Sequence, residues 1–108
     1  MPRWFHCPYL NAEVELTDER EQYVRSKHSD LLTTGFGVVQ GVLADPDMVQ
    51  PDQQFPRTLI FSRWYDDDVL RRHAVVAVVT DEGTARHWIV TGFTARRVPE
   101  RDVIWRRG

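Results

Sequence analysis

The stretch LRRHAVVAVVT, residues 70–80, is a nearly continuous apolar run. A run of this length predicts a central strand that is covered on both faces. The flanking segments RTLIFSRWY (57–65) and RHWIVTGFTA (86–95) are rich in β-branched and aromatic residues, which favour strands. Because only short turns separate the three segments, we expect antiparallel neighbours. A short strand, VIW (103–105), is expected to extend the meander to four strands.

Two helices are expected before this sheet. Thr17 and Asp18 are both good helix N-caps, and the spacing of Asp18 and Glu21 is that of a capping box. These residues predict a first helix over about 18–28. Apolar residues at helical spacing predict a second helix over 35–44.

The predicted fold class is therefore α+β, in a single domain that spans residues 1–108. A two-helix unit, about 12–45, is expected to pack on a four-stranded antiparallel β-meander, about 57–106. The helices would cover one face of the sheet and leave the other face free for polar side chains.

Composition excludes several classes of protein. The chain has 108 residues, enough for one self-sufficient core, and no stretch approaches ~18 uncharged apolar residues, so no membrane span is expected. The single cysteine, Cys7, excludes an intrachain disulfide and a tetrathiolate zinc site and fits a reducing cytoplasm. No metal or other cofactor is expected, because HExxH, CxxC and Gly-rich phosphate loops do not occur.

Charge is unevenly distributed along the chain. The net charge is −5 over residues 1–56 and +4 over residues 85–108, within a total of −2, and nearly all the basic residues are Arg. Arg binds phosphate and carboxylate oxygens through a rigid fork, although codon usage in a GC-rich genome explains the Arg content equally well. We expect any contact with nucleic acid to be local.

Strand pairing predicts which side chains share a face of the sheet. If Tyr65 faces Leu70, then Arg63 faces Arg72, and an anion such as phosphate would relieve the repulsion between the two guanidinium groups. Two solvated arginines at the strand ends are the competing interpretation. With Thr80 opposite Ala85, one face carries Arg63, Arg72, Thr91 and Phe93, and the other carries Ser62, Trp64, His73, Trp88, Val90 and Thr94. A one-residue slip in either turn would exchange the two sets.

His28 ends the first predicted helix. The helix dipole stabilises the charged form of a His at this position, which suits a proton donor near neutral pH. Capping of the last carbonyl groups is the alternative role. His73 and His87 are expected at strand starts, where His is commonly inert.

The order of several short motifs carries a family resemblance. The motifs are CPYLNAEVELTDER (7–20), KHSDLL (27–32), ADPDMV (44–49), FSRWY (61–65), IVTGFTARR (89–97) and VIW (103–105). This arrangement resembles the phage-type branch of the barnase–EndoU–colicin–RelE (BECR) nuclease superfamily. The resemblance implies an N-terminal helical unit on a four-stranded antiparallel sheet, in a metal-independent ribonuclease that acts as a toxin or effector.

The resemblance also implies roles for individual residues and partners. It places the catalytic His at His28 and the basic strand residues at Arg63 and Arg72. A TAY-like segment corresponds to Thr91-Gly92-Phe93, in which Phe stands where Tyr is common. The implied partners are RNA and an antitoxin or immunity protein, and the protein is expected as a monomer or, through the edge strand 103–105, a homodimer.

The predicted reaction is attack of a 2′-hydroxyl on the adjacent phosphate of single-stranded RNA. The predicted catalytic residues are His28 as acid or base, Arg63 and Arg72 as the phosphate clamp and Thr91 as a hydrogen-bond donor. The predicted substrate-binding residues are Trp64, Tyr65, Thr94 and Arg96, with the aromatic rings stacking on bases.

Two other functions compete with this prediction. One is a catalytically inactive BECR-like module that binds RNA or a protein. The other is a small-molecule-binding barrel, which would have a closed apolar cavity and no cluster of His28 with Arg63 and Arg72.

Overall fold

The computed structural model describes residues 1–33, 35–66, 71–81 and 83–107. In these residues, the chain forms seven strands, two α-helices and one 3₁₀ helix. In chain order they are β1 (Arg3–Cys7), β2 (Ala12–Leu16), α1 (Asp18–Lys27), the 3₁₀ helix (Ser29–Leu32), α2 (Gly37–Ala44), β3 (Met48–Pro51), β4 (Thr58–Asp66), β5 (Arg71–Asp81), β6 (Arg86–Ala95) and β7 (Trp105–Arg106).

All of these strands belong to one mixed sheet, in the order β1-β2-β6-β5-β4-β3-β7. The pairs β3–β4, β4–β5 and β5–β6 are antiparallel, whereas β2 pairs parallel with β6 at Glu15 and Trp88. The hairpin β1–β2 forms one edge, and β7, paired antiparallel with β3, forms the other.

The first helix begins where the sequence predicts it, and the second begins two residues later than predicted. The Thr17 hydroxyl accepts a hydrogen bond from the backbone N–H of Arg20 at 3.2 Å, so Thr17 is the N-cap of α1. Val24 is buried in α1, whereas α2 has three buried residues, Val39, Val42 and Leu43. No helix in the described part of the chain is long and apolar enough to cross a membrane.

The two faces of the sheet differ in what covers them. The helix face packs under α1, α2 and the 3₁₀ helix, and its core includes Phe61, Val76 and Val78, all fully buried. The opposite face, called the open face, is partly covered by the segments 52–56 and 97–102. The open face therefore keeps grooves, whereas the helix face is sealed.

The predicted two-helix unit on a four-stranded antiparallel meander is wrong. β4, β5 and β6 do pair in the predicted order, but the sheet also contains β1, β2 and β3, and it has a parallel pairing. The last strand, β7, pairs with β3 instead of continuing the meander from β6. β2 lies within the segment 12–45 that was expected to be helical, because its apolar–charged alternation matches the period of a strand.

The register between β4 and β5 differs from the prediction by two residues. Arg63 pairs with Ala74, and Tyr65 pairs with Arg72. The predicted partner of Tyr65, Leu70, lies outside the described residues, as does most of the expected acidic turn. Because a shift of two residues preserves side-chain alternation, Arg63 and Arg72 do share one face, as predicted. That face is the helix face, and not the free face that was expected to carry polar side chains.

The register between β5 and β6 also differs by two residues at its turn. Thr80 pairs with His87 and not with Ala85. This shift alone would keep every predicted face assignment.

A β-bulge farther along β6 reverses the assignment. Ala77 pairs with Thr91 and Val78 pairs with Ile89, which leaves Val90 unpaired with β5. Beyond this extra residue the alternation is inverted, so that Thr91 points to the open face. The predicted grouping of Thr91 and Phe93 with the two arginines is therefore wrong.

Candidate functional site

Arg63 and Arg72 share a face but do not lie directly opposite each other, because Arg63 pairs with Ala74 and Arg72 pairs with Tyr65. Arg63 Nη1 donates to the carbonyl oxygens of Gly41 (3.4 Å) and Asp45 (3.3 Å), and it lies 3.5 Å from the Asp45 carboxylate. Arg63 therefore ties β4 to the end of α2. Arg72, half-buried opposite Tyr65, makes no hydrogen bond or ion pair with the residues that the structure describes.

The two predicted stacking residues have different surroundings. The Tyr65 hydroxyl donates to the Val38 carbonyl oxygen at 3.1 Å, and a Cβ at Gly41 would collide with this hydroxyl. Tyr65 is thus part of the contact between α2 and β4. Trp64 is exposed on the open face, where its ring lies 5.0 Å from that of His73.

Thr94 and Arg96 lie near the end of β6. The Thr94 hydroxyl donates to the Asp30 carboxylate, which fastens the 3₁₀ helix to the sheet. At Gly92 on the same face, a Cβ would come within 2.5 Å of Leu31 Cδ2, so the 3₁₀ helix needs glycine there to pack this closely. Arg96 is exposed just beyond β6 and has no hydrogen bond or ion pair within the described segments.

His28 lies at the outer edge of β6. Its backbone N–H donates to the Val24 carbonyl oxygen at 2.7 Å and so caps α1. Its ring centroid lies 5.8 Å from that of Phe93 and 6.4 Å from that of Tyr23. Arg63 lies two strands away, about 10 Å across the sheet, and is held by α2. The structure therefore does not bring His28 together with Arg63.

Tyr23, one of the two rings beside His28, has polar neighbours of its own. The Arg20 guanidinium lies 5.5 Å from the Tyr23 ring centroid, and its Nη1 donates at 3.5 Å to the carbonyl oxygen of the bulged residue Val90. Thr91 follows Val90 directly and points to the open face. We call the set Arg20, Tyr23, His28, Thr91 and Phe93 the α1–β6 cluster.

A groove of about 570 Å³ is lined by part of the cluster. Arg20 and Tyr23 line it from α1, and Phe55 and Pro56 line it from the segment 52–56. The lining of the groove is completed by Asp52, Thr58, Ala77, Val79, Val90 and Thr91. The groove is open enough for a nucleotide and combines an apolar floor with a few polar groups, which is typical of ligand sites.

Of the predicted catalytic residues, His28 and Thr91 lie in the cluster, and the two arginines do not. Arg20 and Tyr23 were not predicted from the sequence as site residues. They are three residues apart in a predicted helix that ends at His28. This spacing could have indicated that they lie on one side of that helix.

One further reactive group, the thiol of Cys7, lies on β1, outside the cluster. Cys7 is fully buried, and burial raises the pKa of its thiol above the usual value of 9.0. Among the described ranges, no three His, Cys, Asp or Glu side chains are close enough together to hold a metal ion.

No family model, no curated protein and no solved structure matches the chain. The resemblance to BECR nucleases therefore stays a prediction. The partners that it implies, RNA and an antitoxin or immunity protein, stay predictions for the same reason.

Proposed function

We propose that the chain is a metal-independent endoribonuclease that cleaves single-stranded RNA at the α1–β6 cluster. One observation carries this proposal: a guanidinium, a phenol and a hydroxyl group line a groove of about 570 Å³, and the imidazole of His28 lies beside the phenol, with 6.4 Å between the ring centroids. These are the groups that metal-free phosphodiester cleavage needs, namely proton carriers and donors to a developing anion.

Each group has a distinct role in the proposed reaction. His28 takes the proton from the 2′-hydroxyl, because imidazole is the side chain that exchanges protons most readily near pH 7. Arg20 and the hydroxyl of Thr91 donate hydrogen bonds to the phosphate oxygens. Phe93 offers a face on which a base can stack.

The step balances without a cofactor. The 2′-oxygen forms a bond to phosphorus, and the bond between phosphorus and the 5′-oxygen breaks. The proton from the 2′-hydroxyl goes to His28, which releases it to solvent after cleavage. The leaving 5′-oxygen receives a proton from the hydroxyl of Tyr23, which regains one from solvent because Tyr23 is 39% exposed. The products are a 2′,3′-cyclic phosphate and a 5′-hydroxyl.

Incubation of purified protein with labelled single-stranded RNA in excess EDTA tests this proposal. We expect fragments that end in a cyclic phosphate from the wild type, and a loss of about 10³-fold in rate for His28→Gln. His6→Gln is the matched control, because His6 is exposed on β1, away from the cluster. Equal cleavage by the wild type and His28→Gln would contradict the assignment of His28.

RNA binding without cleavage is the second candidate function. It is favoured because the cluster contains a single imidazole. Cleavage needs a proton carrier at the 2′-oxygen and another at the 5′-oxygen, and the second carrier would have to be a phenol. RNA that is bound by the wild type but never cleaved, with or without EDTA, would support this candidate over the nuclease.

We also propose the cytoplasm as the location. It is supported by the lone cysteine, Cys7, which is buried as a free thiol, and by the presence of RNA in that compartment.

A further inference from the structure

A second depression adjoins the groove on the open face. It has a volume of about 340 Å³, and Ile60, Val75 and Phe93 line it. Phe93 also belongs to the α1–β6 cluster, because its ring contacts that of His28. Asp52 lines both cavities, so the two are adjoining parts of one surface.

The outer wall of the depression is held by a buried side chain. Gln50, only 5% exposed, donates through Nε2 to the carbonyl oxygens of Pro99 (2.6 Å) and Arg101 (3.0 Å). The backbone N–H of Ile104 donates to the Val49 carbonyl oxygen at 2.9 Å. These bonds fix the backbone that carries Arg101 at the rim of the depression.

Two guanidinium groups at the rim are unpaired among the described residues. Arg97 and Arg101 both line the depression and are exposed, and neither guanidinium group makes a hydrogen bond or ion pair with the part of the chain that the structure describes. Asp52 is the acidic residue in the same lining. Its Oδ1 accepts the backbone N–H groups of Gln54 (2.7 Å) and Phe55 (3.0 Å), which fixes the loop.

The neighbouring acidic groups are also engaged. The Asp102 carboxylate accepts a hydrogen bond from Gln53 Nε2 at 2.7 Å, and Glu100 pairs with Arg106 at 3.3 Å. Arg97 and Arg101 therefore present positive charge beside the aromatic face of Phe93. A rigid apolar floor with two unpaired guanidinium groups suits a planar base that carries phosphate.

We propose that this depression binds the nucleotide next to the cleavage site, with its phosphates on Arg97 and Arg101. This inference rests on the proposed function and specifies its substrate class. The substrate is a single strand of at least three nucleotides, of which two occupy the α1–β6 cluster and the third occupies the depression.

Binding of RNA of different lengths tests the inference. The probes are fluorescein-labelled 2′-O-methyl oligonucleotides of two, three and six nucleotides, which cannot be cleaved, and the readout is fluorescence anisotropy at several salt concentrations. We compare the wild type with the double variant Arg97→Ala/Arg101→Ala. The matched control is Arg25→Ala/Arg71→Ala, which removes two arginines from exposed ion pairs elsewhere.

We expect the double variant to bind the trimer and hexamer at least 10-fold more weakly and the dinucleotide unchanged. The slope of log Kd against log salt for the hexamer should fall by about 1.4, since each phosphate contact on a single strand contributes about 0.7. The control should match the wild type. Circular dichroism verifies that both variants are folded.

The inference and the proposed function fail in different ways. If the wild type neither binds nor cleaves any RNA, the proposed function is wrong. If the wild type cleaves RNA but the double variant binds all three lengths like the wild type, only the third subsite is wrong. Equal loss of dinucleotide and hexamer binding would also overturn the subsite, because the two arginines would then act at the cluster itself.

Discussion

The two helices are both short, 10 residues in α1 and 8 in α2, yet they use the sheet in opposite ways. α2 carries no charged side chain and buries Val39, Val42 and Leu43 against the middle of the helix face. α1 buries only Val24 and extends polar side chains past the edge of β6. The comparison teaches that α2 supplies stability and α1 supplies the proposed site. Substitutions in α2 should therefore lower the free energy of unfolding, and substitutions at the site should lower the rate of cleavage.

The largest contrast is expected between His28→Gln and Leu43→Ala. His28→Gln should lower RNA cleavage by about 10³-fold, or about 4 kcal/mol in the barrier, and leave the free energy of unfolding unchanged. Leu43→Ala should lower the free energy of unfolding by about 3 kcal/mol, because it leaves a cavity in the core, and should retain the rate per folded molecule. Urea denaturation and cleavage assays on the same samples would measure both. A large loss of stability in His28→Gln would remove the distinction between the helices.

A smaller effect is expected at Gly92, where the 3₁₀ helix that follows α1 meets the sheet. In Gly92→Ala the new Cβ would lie 2.5 Å from Leu31 Cδ2 and 3.3 Å from the Val75 carbonyl oxygen. Leu31 is buried, so it has little room to move, and we expect a loss of about 2 kcal/mol in unfolding free energy. Gly37→Ala is the control, since its Cβ would meet nothing within 4 Å. Equal stability of the two variants would show that this contact is looser than described.

The smallest effects are expected for substitutions of Arg20 and Arg63, and they should fall on different properties. Arg20→Ala should lower cleavage by about 10-fold through the loss of a phosphate contact, whereas Arg63→Ala should not change the rate. Arg63→Ala should instead lower the free energy of unfolding by about 1 kcal/mol, since it holds Asp45 and the end of α2. A loss of activity in Arg63→Ala without a loss of stability would restore the phosphate role that the sequence predicted.

Local patterns predicted the helices and the long strands well. The capping signal at Thr17 and the apolar run of β5 each depend on neighbouring residues, and both correspond to elements in the structure. The short strands were missed for physical reasons. β1 and β2 have five residues each, and β3 ends in Pro51, a residue that disfavours strands.

The candidate site could be predicted only in part. His28 is identifiable because a His at a helix end is a chemical signal in itself. Arg20 became part of the site only because α1 lies against the edge of β6, and this tertiary contact has no local signature. The register between the strands could not be predicted either, because the turn lengths and the bulge at Val90 depend on strand pairing.

The extra residue at Val90 shifts the alternation of side chains between the two faces of β6 by one residue. If Val90 were instead paired with Ala77 in a regular ladder, Thr91 and Phe93 would lie beneath the helices, and Thr94 would point outward, away from Asp30. Both proposed RNA contacts on β6 would disappear although no side chain had been changed. The bulge at Val90 thus decides which side chains of β6 lie on the open face. A search of the sequence for reactive residue types does not detect such a bulge.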